Sequence, residues 1–119
     1  MTPSEERRRY PRVSLNHVTV EVYSTTGVPD NPEFCFIINV SENGLLFKTD
    51  LGKKYASDAT LRLTFVIPDN NVIIRTDAKI VHVRETDLSV YVGVEFGPMG
   101  SVEQKALREF VDTFVDPAQ

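Results

Sequence analysis

"HVTVEVY", residues 17–23, sets Val18, Val20 and Val22 in alternation with Thr19, Glu21 and Tyr23. Side chains of an extended chain point to opposite faces in turn, so this period of two predicts a strand with one buried face. Similar runs return at "EFCFIIN" (33–39), "GLLFKT" (44–49), "TLRLTFVI" (60–67), "NVIIRTDAKIVHVR" (71–84) and "LSVYVGVEF" (88–96). The stretches "SENG" (41–44), "PDNN" (68–71) and "RETD" (84–87) break them with turn-forming residues. Six short strands with tight turns predict an antiparallel barrel or strongly curled sheet, because closure removes edges that would otherwise pair with other chains. A helix is expected from about 101 to 115: Ser101 and Gln104 have capping-box spacing, and Leu107, Phe110, Val111 and Phe114 share one helical face. The expected fold class is all-β with a C-terminal helix, built as a six-stranded antiparallel β-barrel whose wall or end the helix covers.

The 119 residues, 41% of them hydrophobic, suffice for one compact core and not two. One barrel domain over 13–116 is therefore expected, preceded by a mobile Arg-rich segment at 1–12. Cys35 stands alone and cannot form an internal disulfide. No apolar run approaches the roughly 20 residues that cross a bilayer, and "MTPSEERRRY" offers no apolar leader, so a cytoplasmic protein without membrane insertion is expected. His17 and His82 stand 65 positions apart, without the close ligand spacing of a zinc site. Neither a nucleophile elbow nor a Gly-rich phosphate loop is present, so no enzyme, metal or other cofactor is expected.

The net charge of −4 argues against DNA or RNA as a partner, since nucleic-acid binders carry a basic excess. A barrel that binds RNA or single strands would also want an aromatic row on its strands, and none is legible here. Positive charge is nonetheless concentrated: Arg7, Arg8, Arg9 and Arg12 put +4 into residues 7–12 against −8 in the remainder. Such local charge suits a small anion.

Taken alone, those arginines read as a solvated tail that Pro11 stiffens, and Asn43-Gly44 reads as a hairpin turn with Ser41 bonding nearby backbone. Together they are more specific. Arg8-x-x-x-Arg12, preceded by Arg7, and Asn39-x-Ser41-x-x-Gly44 match the paired R-x-x-x-R and (D/N)-x-S-x-x-G signature of the PilZ domain family. The chain resembles a PilZ domain along nearly its whole length, because "YVGVEF" is similar to the family's late strand and the helix follows in the expected place. Asn39 stands where many members have Asp, which exchanges a purely accepting carboxylate for an amide that also donates.

The resemblance implies a six-stranded barrel and a receptor for the bacterial second messenger cyclic di-GMP. It also implies an adaptor, monomeric or homodimeric, that passes the signal to a downstream protein partner. An arginine fork meets guanine O6 and N7 with two parallel bonds and can stack on a base, which lysine does less well. By the resemblance, Arg8 and Arg12 grip the ligand and Arg7 and Arg9 add charge, while Asn39, Ser41 and Gly44 form the barrel side. His82 falls where some members stack a side chain on the outer guanine, and equally reads as a partly exposed strand histidine without a role. Tyr10 either touches the ligand or packs its ring on the barrel mouth. Four like charges repel until an anion neutralises them, so residues 1–12 are expected to order over the bound nucleotide. The alternative is a PilZ-like protein-interaction module that binds no nucleotide.

Overall fold

In the computed structural model, which describes residues 12–15, 17–24, 33–50, 55–68 and 71–114, the first alternation turns its valines inward. Val20 and Val22 are buried while Thr19 faces solvent. The strands are β1 (Val13–Ser14), β2 (Thr19–Ser24), β3 (Glu33–Val40), β4 (Gly44–Asp50), β5 (Thr60–Val66), β6 (Ile73–Glu85) and β7 (Ser89–Phe96), followed by α1 (Ser101–Phe114). Neighbours run β3, β2, β5, β6, β7, β4, all antiparallel, and β4 pairs back onto β3, so six strands close into a barrel.

Strand β1 is the one element that the alternation did not announce, being too short to show a period. It lies on the same edge of β3 as β2: Val13 and Ser14 pair with Val40 and Asn39, and Thr19–Val22 pair with Phe36–Glu33. Between them His17 takes a left-handed backbone, φ 62°, which breaks the pleat. The ladder continues across the break, since Leu15 N–H donates to Ile38 O at 2.9 Å and Ile37 N–H donates to Val18 O at 2.8 Å.

The barrel is filled by inward side chains of every long strand, with Phe47, Leu63, Ile74, Ile80 and Val92 wholly buried. Helix α1 adds Ala106, Leu107, Phe110 and Val111 to this core. Phe114, expected on the same face, is 48% exposed and rests its ring on Phe110 at 5.1 Å, because it occupies the last turn, past the edge of the core. The helix start also lies one residue earlier than the Ser101/Gln104 spacing suggested. Gln104 N–H donates to Gly100 O at 2.9 Å, and the Glu103 carboxylate folds back over Gly100, which makes Gly100 the cap.

Tyr55, in the segment before β5, packs against the core. Its ring meets the Phe47 ring edge-on at 5.7 Å, and its hydroxyl donates to the Glu33 carboxylate. Beneath it Cys35 is buried, and burial pushes its thiol up to about 11 from an ordinary 9.0. Between these values an unfolded chain sheds a proton that the folded chain keeps, so folding stability falls as pH rises through that window. Cys35→Ala should therefore show a shallower loss of stability than the parent between about pH 9 and about pH 11, measured by denaturant unfolding.

Candidate functional site

In β3 the inward residues are Cys35 and Ile37 and then Val40; in β6 they are Ile74, Thr76, Ala78 and Ile80, after which Val81 and His82 are both exposed. Each strand thus changes parity once. The ladders record the same event as register shifts between Ile37 and Asn39 and between Ile80 and His82. A bulge of this kind moves the following residues to the opposite face. Without it Asn39 and His82 would point into the core. With both bulges, Asn39, Leu46, Gly93 and His82 form one outward row across β3, β4, β7 and β6, each paired with the next.

The turn from β3 to β4 is fastened locally. Ser41 N–H donates to Gly44 O at 2.8 Å, and the Ser41 hydroxyl donates to Asn43 Oδ1 at 2.6 Å and accepts Asn43 N–H at 3.4 Å. Ser41 is buried, so its hydroxyl serves the turn. Asn43 O accepts Phe96 N–H at 2.8 Å, tying the turn to β7. A Cβ on Gly44 would stand 2.2 Å from Val94 O. Close approach of two strands, and not a left-handed turn conformation, is therefore what demands glycine at this position. Gly93 has a different neighbour: a Cβ there would stand 2.7 Å from Nδ1 of His82, so the imidazole lies against bare backbone.

The row and the turn border a single cleft of about 190 Å³, whose lining includes Arg12, Asn39, Ser41, Gly44 and His82. Arg12 arrives through β1: the register Val13 to Val40, continued by one residue, sets Arg12 beside Ser41. Arg7, Arg8 and Arg9, with Tyr10, lie outside the described residues. The cleft also takes in Asn43, which sequence reasoning gave only as a turn residue, and Gly93 and Glu95, which it did not single out. For Gly93 a signal existed, since an isolated glycine within the "YVGVEF" strand pattern marks a close approach. For Glu95 there was none, because one acidic residue on an outward strand face reads as ordinary surface.

Among the described residues, the side chains of Arg12, Asn39, His82 and Glu95 make no hydrogen bond or ion pair. The cleft thus combines a cationic fork, an amide, an imidazole and a carboxylate, none engaged by another described side chain, above a floor of glycine and core backbone. Such a set can grip a phosphate and read the edge of a planar heterocycle. A metal has no comparable support, since the described residues contain no group of three or more His, Cys, Asp or Glu able to hold one.

A model of the PilZ domain matches residues 6–113. The search of curated proteins finds no relative. Among solved structures, the inhibitor of motility MotI/DgrA of Bacillus subtilis is similar with a TM-score of 0.73 and 20% identity, over 95% of this chain and 56% of that one. The PilZ domain of Escherichia coli YcgR, solved with c-di-GMP, is similar with a TM-score of 0.72 and 12% identity over 91% of each chain. The MrkH–c-di-GMP complex of K. pneumonia follows with 0.70 and 16%, over 87% of this chain and 50% of that one. The chain therefore spans about half the length of MotI/DgrA and MrkH.

The two glycines of the cleft should respond differently to a methyl group. Gly44→Ala meets a backbone carbonyl that cannot move away and should cost about 1–3 kcal/mol of stability, seen as a lowered thermal midpoint. Gly93→Ala meets only the His82 ring, so its midpoint should stay close to that of the parent.

Proposed function

The chain belongs to the PilZ domain family, and from that premise we propose that it is a receptor for cyclic di-GMP that orders its N-terminal arginine segment over the nucleotide and signals to a protein partner. The observation that carries this reading is the meeting of Arg12, Asn39, Ser41, Gly44 and His82, drawn from three separate parts of the chain, around one cleft. Solved neighbours that hold c-di-GMP on the same fold support it.

The chemistry divides between the two halves of the motif. Arg8 and Arg12 supply charge for the phosphates and a planar fork for guanine O6 and N7, with Arg7 and Arg9 as added charge. Asn39 offers both an acceptor and a donor to a base edge, and Ser41 and Gly44 hold the turn and leave the floor open. His82, beside Gly93, offers a ring on which the outer guanine stacks. Residues 1–12 carry four arginines and few apolar anchors, so the ligand's negative charge is what makes their ordering favourable. The ordered segment then forms a new surface for a partner in the bacterial cytoplasm. No step of this mechanism is a chemical conversion: the protein acts as an adaptor.

Calorimetric titration with cyclic di-GMP, GTP, GMP and cyclic di-AMP tests the reading. Cyclic di-GMP should bind selectively, and Arg8→Ala and Arg12→Ala should each weaken binding about tenfold to a hundredfold with little change in thermal midpoint, as expected for a charged hydrogen bond of roughly 1.5–3 kcal/mol. Ser41→Ala should cost less binding, since its hydroxyl already serves the turn. Hydrogen exchange should gain protection at residues 8–12 and 39–44 on binding. Equal affinity for the adenine dinucleotide, or no binding at all, overturns the receptor reading; arginine protection already high without ligand overturns the ordering step.

A further inference from the structure

Glu95 has no role in the reading above, yet it borders the same cleft as Arg12, Asn39 and His82. A carboxylate beside a ligand with two phosphates is repelled by them, so its place calls for an account in the chemistry of the bases. We propose that Glu95 reads the Watson–Crick edge of a guanine, its two oxygens accepting from N1–H and from the 2-amino group. This rests on the cyclic di-GMP reading and adds a specificity-determining residue to it.

Three observations carry the inference. First, Glu95 points outward from β7 and is exposed, and its carboxylate makes no hydrogen bond or ion pair among the described residues. Its cross-strand neighbour Lys79 is engaged elsewhere, with Nζ 3.5 Å from Asp58 Oδ1. Second, Glu95 borders the open side of the cleft. Gly44 is its direct partner on β4, and Gly93 precedes it by two residues on the same face, roughly 7 Å away along the strand. Gly44 projects no side chain and the His82 ring lies over Gly93, so the space beside the carboxylate is that of the cleft, with the imidazole at its edge. Third, an ionised carboxylate only accepts hydrogen bonds, and two neighbouring N–H donors match its two oxygens in parallel. Within the bases of cyclic di-GMP, N1–H and the 2-amino group are that pair of donors.

The assignment also orients the ligand. Guanine O6 and N7 remain for the arginine forks, and the phosphates lie toward Arg12, away from Glu95. Adenine fails at this edge because its N1 is an acceptor facing the carboxylate, and hypoxanthine keeps N1–H but lacks the 2-amino group.

Titration of the full chain with cyclic di-GMP and with cyclic di-IMP, the analogue that lacks the 2-amino groups, provides the test. The parent should prefer cyclic di-GMP by about tenfold or more. Glu95→Ala should lose about tenfold to a hundredfold of its cyclic di-GMP affinity, and its preference between the two ligands should shrink to within about twofold. Because Glu95 is exposed, the thermal midpoint should hold; should the alanine variant fail to fold, Glu95→Gln, which also shows a reduced preference, serves in its place. A parent that binds both ligands equally, or a variant that keeps the full preference, overturns the role of Glu95 while leaving the receptor reading intact. A parent that binds neither ligand overturns both.

Discussion

A strand in a closed barrel has one face for the core and one for water, and the period of two assigns every residue to one of them unless the ladder slips. Here it slips twice, at Ile38 in β3 and at Val81 in β6. Most of the cleft depends on these slips. They bring Asn39 and His82 to the outer surface at the two ends of one cross-strand row, and they return Val40 and Val83 to the inner side. The first slip also places the N-terminal segment. Strand β1 pairs with Asn39 and Val40, so the position of Arg12 beside Ser41 follows from the parity of β3 after its bulge.

The row rests on a floor that cannot shift without disturbing the core. Leu45, Phe47, Val92 and Val94 alternate with its members on β4 and β7, and all four are buried. Gly44 lets β4 come close enough to β7 that nothing larger fits. The barrel half of the site is therefore built in advance, and a ligand meeting it does not have to order it. What remains to be ordered under the receptor reading is the arginine segment. The cost of binding then falls on residues outside the core, where it can change accessibility without changing the fold.

The sequence made the fold legible wherever a run was long enough to show its period. The six barrel strands and the helix all appear close to their expected limits, and Val20 and Val22 face inward as the opening alternation required. Strand β1 was not legible, because two residues have no period. The helix cap was displaced because glycine is an accepted cap and carries no side-chain signature. Of the cleft, the motif residues were named from a resemblance, and their spacing alone allowed an ordinary turn. The parity changes did leave a trace: Ile37-Ile38 and Ile80-Val81 are adjacent apolar pairs inside alternating runs, each followed by a polar residue that the old parity would have buried. Glu95 left no trace, because its place at the cleft depends on which strands pair with β7 in three dimensions.

Two routes lead from the cleft to α1, and their strengths differ. The direct one is the ion pair between Arg108 Nε and Glu42 Oε2, 3.2 Å apart, on the turn between Ser41 and Asn43. Arg108 is more than half exposed, and pairs of this kind contribute about 0.2–1 kcal/mol. The other runs through backbone: Asn43 O to Phe96 N–H, with the Phe96 ring stacked near Phe65 at 6.0 Å and the helix beginning five residues later. Against either stands the burial of Leu107, Phe110 and Val111, each of which contributes about 1.5–3 kcal/mol to holding α1 in place. Loss or gain of one exposed ion pair cannot overcome three buried side chains, so ligand contact at the Ser41–Gly44 turn leaves the helix seated. Under the receptor reading, the output is therefore sought in the arginine segment and not in α1, which stays seated on the core.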